Sequence, residues 1–117
     1  MATNYKNAQV SGSAGGLGAY VTLYDTATAS ANSATAVISS IVVTNTATAA
    51  KQYRIAIMGA PVGTPAAANW IVYNATVAGN DAVALTLGLV LGTSQYIRVS
   101  STDDSVTFSA YLSEITP

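Results

Sequence analysis

The sequence has no histidine and no cysteine, and only four Lys or Arg and five Asp or Glu among its 117 residues. Without histidine it lacks the side chain that most often moves protons near neutral pH. Without cysteine it has no disulfide, thiolate nucleophile or thiolate metal site. A charged fraction of 8% stands against the roughly 25% usual for a soluble domain. Four cations, Lys6, Lys51, Arg54 and Arg98, are scattered along the chain and make no basic footprint for nucleic acid, since each phosphate contact needs one. Long apolar runs are missing too. Ala36 to Val43 is broken by Ser39 and Ser40, and Ala82 to Leu91 by Thr86 and Gly88. Both fall short of the ~20 residues of a membrane helix. The opening Met1 to Lys6 has no apolar core and is not read as a secretory signal. No cofactor, metal, nucleic acid or membrane is therefore expected, and no enzymatic activity.

What remains is Ala, Thr, Ser, Val, Leu, Ile and Gly in short alternating runs, half of it hydrophobic. A chain of this length forms one domain that buries roughly two-thirds of its unfolded surface. Seven Tyr, one Trp and many β-branched residues, at a net charge of -1, exclude the composition of a disordered chain. Weak self-repulsion suits a protein that packs against other chains.

Strand signals recur at close spacing, the all-β pattern. Strands are expected near Lys6 to Val10, Ala19 to Tyr24, Ala34 to Asn45, Gln52 to Met58, Trp70 to Val77, Ala82 to Leu87, Tyr96 to Ser101 and Val106 to Ile115. Glycines at Gly12, Gly15 and Gly16, the loop Gly59 to Pro65, and the turns Ala78 to Asp81 and Ser101 to Asp104 separate them. Period-2 alternation puts Tyr53, Ile55 and Ile57 on one face, as it does Val83, Leu85 and Leu87, and Val106, Phe108, Ala110 and Leu112. One apolar and one polar face mark antiparallel sheets. Alanine favours helix, but here it is interleaved with Thr, Ser, Val and Gly. Only Pro65 to Asn69 reads as a helical turn. The fold expected is an antiparallel β-sandwich of about eight strands, jelly-roll-like or immunoglobulin-like. Its core is expected to hold Val37, Ile41, Val43, Ile55, Ile57, Val83, Leu85, Leu87, Ile97, Val99, Val106 and Phe108.

No catalytic constellation stands out. There is no Gly-x-Ser-x-Gly elbow. Asp103 and Asp104 read as a solvated turn, without the spaced oxygen ligands of a calcium loop. Gly12, Gly15, Gly16 and Gly18 are not followed by the lysine and helix of a phosphate loop, and read as a flexible N-terminal loop. Asn74-Ala75-Thr76 fits the glycosylation triplet and reads as chance. The candidate site residues are aromatic. Trp70 and Tyr73, with Tyr53 in the preceding strand, are candidate interface or glycan contacts, because rings on a β-surface stack sugars or anchor partners. Ordinary packing is the plainer reading of all three.

The order of segments adds a resemblance. Thr22-Leu23-Tyr24, Ala36 to Asn45, Tyr53 to Ile57, Gly79-Asn80-Asp81 before Leu85 to Leu89, Ile97-Arg98-Val99 and the ending Val106 to Thr116 together resemble a family of small virion structural proteins of tailed bacteriophages. The resemblance spans about Tyr20 to Thr116. The family often has Val-Pro-Ala where this chain has Asp25-Thr26-Ala27, and Phe-Gly where it has Tyr111-Leu112. The resemblance implies a β-sandwich carried in many copies on a virion and no catalytic residues. It leaves open a head-associated or a tail-associated place.

Residues 1–18 are expected to form an N-terminal arm or a first strand with a Gly-rich loop, and residues 19–117 a single sandwich domain. The role expected is a capsid decoration (cement) protein on the head exterior, assembled in the bacterial host cytoplasm. Its expected partners are copies of itself, as a trimer, and the major capsid protein. The alternatives are a tail, neck or fibre-associated virion protein and a carbohydrate-binding receptor-recognition module.

Overall fold

The computed structural model describes residues 2–27 and 34–116. Within them the chain forms eight strands and one 3-10 turn. The strands are β1 (Ala2–Ser11), β2 (Val21–Asp25), β3 (Thr35–Asn45), β4 (Lys51–Met58), β5 (Trp70–Val77), β6 (Asp81–Leu91), β7 (Tyr96–Ser101) and β8 (Val106–Thr116), with the turn at Ala67–Asn69 before β5. Val, Ile, Thr and Tyr fill them, the residues that suit a pleated, half-buried surface.

Pairing follows a simple rule. β1 pairs with β8, β2 with β7, β3 with β6 and β4 with β5, all antiparallel. The chain is thus one long ribbon doubled back at the loop between β4 and β5. The ribbon then rolls. β8 also pairs with β3, and β7 with β4. Two four-stranded sheets result, ordered β1-β8-β3-β6 and β2-β7-β4-β5. This is the jelly roll, an eight-stranded arrangement of two Greek keys. It decides between the two sandwich topologies expected from the sequence.

The sheets close on Phe108, Ile38, Ile41, Ile55, Leu91 and Ile97, all fully buried. Tyr53 packs edge-on to Phe108, with ring centroids 6.2 Å apart. Most of the expected core is there, with Ile57, Val83, Leu85 and Leu87 partly buried against it. Val37 is a correction: it is 38% exposed, while Ala36 and Ile38 are buried. The cause is a bulge. Between Ile38 and Ser40 the register of β3 shifts against both β6 and β8. Ser39 is the extra residue facing β8, and Gly88, at φ 59, accompanies the shift in β6. An extra residue reverses the in-out phase beyond it. Alternation counted back from Val43 and Ile41 therefore lands on the wrong face at Val37.

β1 is an edge strand of the sandwich itself, paired to β8 along its whole length. The Gly-rich segment after it is held by definite bonds. Gly12 N–H donates to Val106 O at 2.8 Å, and Arg54 Nη1 donates to Leu17 O at 3.3 Å. Asn45, 1% exposed, ties two loops at one end of the sandwich. Its amide nitrogen donates to Ala49 O at 2.8 Å and Ala78 O at 3.2 Å, and its oxygen accepts from Ala47 N–H at 2.9 Å.

Candidate functional site

The outer face of sheet β2-β7-β4-β5 carries the main cluster of aromatic and cationic side chains. Alternation in β4 turns Tyr53 and Ile55 inward and Arg54 outward. Before β5, Ala66 N–H donates to Asn69 Oδ1 at 2.8 Å, closing the turn that delivers Trp70. Asn74 then takes a left-handed conformation, φ 55, where β4 and β5 shift register. Asparagine tolerates this region better than most residues. The shift brings Asn74 to the arginine: Arg54 Nε donates to Asn74 Oδ1 at 2.6 Å. Asn74, the first residue of the glycosylation triplet, thus has a backbone and hydrogen-bonding role.

Arg54 organises its surroundings. Its guanidinium carbon lies 4.4 Å from the centroid of the Tyr73 ring and 5.6 Å from that of Trp70, within cation–π range. Nη1 donates to Tyr20 Oη at 3.1 Å. Trp70 meets Tyr73 edge-on at 4.8 Å and Tyr20 at 5.9 Å. Beside them Arg98 donates to Thr22 Oγ1 at 2.7 Å and to Tyr20 O at 3.0 Å. Both arginines thus donate to neutral oxygens. Tyr73 is 56% exposed. The arrangement offers ring faces and a fixed positive charge on an open surface. It suits stacking and packing; a guanidinium is effectively always protonated, so it offers no acid–base step.

Of the three sequence-derived candidates, Trp70 and Tyr73 are brought together and Tyr53 is not. Tyr53 is 3% exposed and faces the core on the opposite side of β4, so burial pushes its phenol pKa up. Placing it with the surface aromatics is corrected here: the alternation that puts Ile55 inside puts Tyr53 inside too. The sequence reading missed that Arg54 gathers Asn74, brought in by the β4–β5 register shift, and Tyr20, from the segment before β2.

It also missed Glu114. This carboxylate is 1% exposed, accepts from Tyr24 Oη at 2.5 Å and pairs with Lys6 Nζ at 2.9 Å. The Tyr24 hydrogen bond holds its pKa below the ordinary value, burial opposes this, and Lys6 assists. The signal was present. Continuing the inward series Val106, Phe108, Ala110, Leu112 by one step reaches Glu114.

Other polar clusters serve the fold. Asp103 Oδ1 accepts from Ser105 N–H at 2.9 Å and from the Ser105 hydroxyl, while Oδ2 meets Lys51 Nζ at 2.8 Å. Led by the Lys51 contact, these lower its pKa to about 2. An open groove between β1 and β8, lined by Gln9, Val10, Ser11, Thr107, Phe108 and Ser109, holds no ionisable side chain. Among the described residues no three acidic, His or Cys side chains gather as metal ligands, and no helix is long and apolar enough to cross a membrane.

No protein-family model and no curated protein matches the sequence. Solved structures do match in fold. A chain of the T13 particle of infectious bursal disease virus aligns over 96% of this chain and 30% of its own, at TM-score 0.54 and 16% identity. Chains of the Gt and Gx strains of infectious bursal disease virus align over 96% of this chain and 31% of theirs. Their TM-scores are 0.48 and 0.47, at 13% and 15% identity. The chain spans under a third of the length of these viral chains. At such identity the likeness establishes a shared fold: the whole described sandwich corresponds to part of a larger viral chain.

Proposed function

We propose that the chain is a non-enzymatic structural component of a virion, a decoration (cement) protein on the head exterior of a tailed bacteriophage. The observation that carries the reading is the jelly roll itself, aligned over 96% of the chain with part of an icosahedral virus particle. The sequence resemblance to small virion proteins supports the tailed-phage assignment. Low charge supports close packing in many copies, because neighbours on a shell do not repel. Short Ser, Thr and Ala side chains lose little rotamer entropy on ordering. Its partners in this reading are copies of itself and the major capsid protein, and it reaches the virion in the bacterial cytoplasm. Gel densitometry of purified particles tests the position. A head coat gives hundreds of copies per particle, whereas a tail, neck or fibre component gives a few to a few dozen.

A receptor-recognition role is the second reading, favoured by the exposure of Tyr73 beside Trp70 and Arg54. Aromatic faces next to a fixed cation suit the apolar face and polar rim of a sugar ring. A glycan array tests it. Saturable binding that is lost in Tyr73→Ala supports this reading; an array with no binding removes it.

A further inference from the structure

Among the described residues, the outer face of sheet β1-β8-β3-β6 carries no charged side chain. The charged residues in its four strands are Lys6, Asp81 and Glu114. All three fall on the inward register, opposite Leu112, Asn45 and Ala36 respectively. Every outward position is Ser, Thr, Asn, Gln, Ala, Gly, Val, Ile or Tyr. One cross-strand row runs Tyr5–Ser113–Val37–Val90 across the sheet. In it Tyr5 is 86% exposed, Val90 69% and Val37 38%, and Tyr111 on the neighbouring row is 43% exposed. A single domain rarely leaves large apolar groups grouped on an uncharged face unless something covers them.

We propose that this face packs against the same face of a second copy of the chain, forming a two-fold dimer. Three observations select this occupant. With no charge on the face, nothing there steers or orients a charged partner, whereas an uncharged face meets itself without penalty. The opposite face suits such pairing less, because Arg54 and Arg98 stand on the two central strands of its sheet, so a two-fold contact there would bring like charges of the two copies near one another. The area also suffices: four strands spaced ~4.8 Å apart and about ten residues long present roughly 650 Å² before side-chain relief, close to the ~800 Å² per partner of a standard interface. An isologous contact places each row against its symmetry mate, so Tyr5, Val37 and Val90 bury one another. The inference concerns this surface and does not require the virion reading.

Sedimentation velocity of the purified chain, followed from about 1 to 100 µM, tests it. The range brackets dissociation constants of ~1 µM and weaker. The expected species is a dimer. Val90→Asp and Tyr5→Asp, both at exposed positions, are expected to weaken association at least tenfold while leaving the far-ultraviolet circular-dichroism spectrum unchanged. Tyr73→Asp on the other sheet is expected to leave the dimer intact. A wild-type monomer across the range, a trimer, or a dimer indifferent to both Val90→Asp and Tyr5→Asp overturns the proposal. Copy number on the particle is measured separately, so failure of either result is distinguishable from failure of the other.

Discussion

The Tyr24 phenol donates a 2.5 Å hydrogen bond to Glu114, linking the two sheets through a carboxylate that is 1% exposed. A buried carboxylate is costly unless paired and hydrogen-bonded. Here the hydroxyl comes from β2 and an ammonium, Lys6, from β1. The jelly-roll order makes this meeting possible, since β1 and β8 lie in one sheet and β2 in the other. Tyr24→Phe keeps the ring and removes the donor. It is expected to cost about 1.5–3 kcal/mol, as for a hydrogen bond to a charged group. Lys6→Ala, at a 44% exposed side chain, is expected to cost less than ~1 kcal/mol. Urea unfolding of both variants checks the order; equal midpoints would remove the special role of Tyr24.

The same pair contributes to the pH dependence of stability. The folded pKa of Glu114 lies below its ordinary value of 4.5, so the unfolded chain binds that proton more readily. Its contribution is present above about pH 4.5 and is lost as pH falls through the folded value. Burial, then Glu114, pushes the Tyr24 pKa far above 10. That contribution is present below about pH 10 and is lost as pH rises toward the folded value. Stability should therefore plateau between these limits. Glu114→Gln is expected to flatten the acid limb and to shift tyrosine ionisation, read by ultraviolet absorbance, to lower pH. An acid limb unchanged in Glu114→Gln would assign acid sensitivity elsewhere, with Asp103, held at about 2 by Lys51 and Ser105, the first alternative.

The strands were legible because alternation and turn chemistry agreed, as in β5 and β7, whose limits match the sequence reading. β6 ran four residues further than expected, to Leu91, because Gly88 reads locally as a strand breaker but sits at a bulge. What local pattern cannot supply is phase across a bulge and partners distant in sequence. Val37 fell on the wrong face for the first reason. Arg54 and Asn74, twenty residues apart, and Tyr24 and Glu114, ninety apart, escaped notice for the second.

The bulge in β3 makes adjacent positions unequal. Ile38→Ala should cost about 2–5 kcal/mol, the range for truncating a fully buried isoleucine, whereas Val37→Ala should stay within about 1 kcal/mol. Thermal melts of the two variants decide it. The reverse order, with Val37→Ala the costlier change, would mean that β3 keeps an unbroken alternation.

Gly79 marks another tight place. A Cβ added there would stand 2.0 Å from Thr48 O and 2.4 Å from its carbonyl carbon, both backbone atoms. Neither yields by a rotamer change, and Asn80 N–H, bonded to Ala47 O at 2.8 Å, holds the loops together. Gly79→Ala is expected to destabilise by about 1–3 kcal/mol, the usual cost of overpacking. A guanidinium titration would expose the opposite result, a midpoint raised by reduced backbone freedom in the unfolded chain.

Arg54 tests whether the aromatic cluster is held by shape or by charge alone. Lysine keeps the charge but loses the planar fork. It cannot donate to Asn74 and Tyr20 from one rigid group while lying over Tyr73, as Arg54 does. Arg54→Lys is therefore expected to lose about 1–3 kcal/mol, combining hydrogen bonds worth ~0.5–1.5 kcal/mol each with a weakened cation–π contact. Trp70 is the only tryptophan, so its emission reports on this cluster alone. A red shift in Arg54→Lys, with far-ultraviolet dichroism unchanged, is the expected signature of rings freed toward water. Wild-type emission together with a wild-type midpoint would show that positive charge alone holds Trp70 and Tyr73 in place.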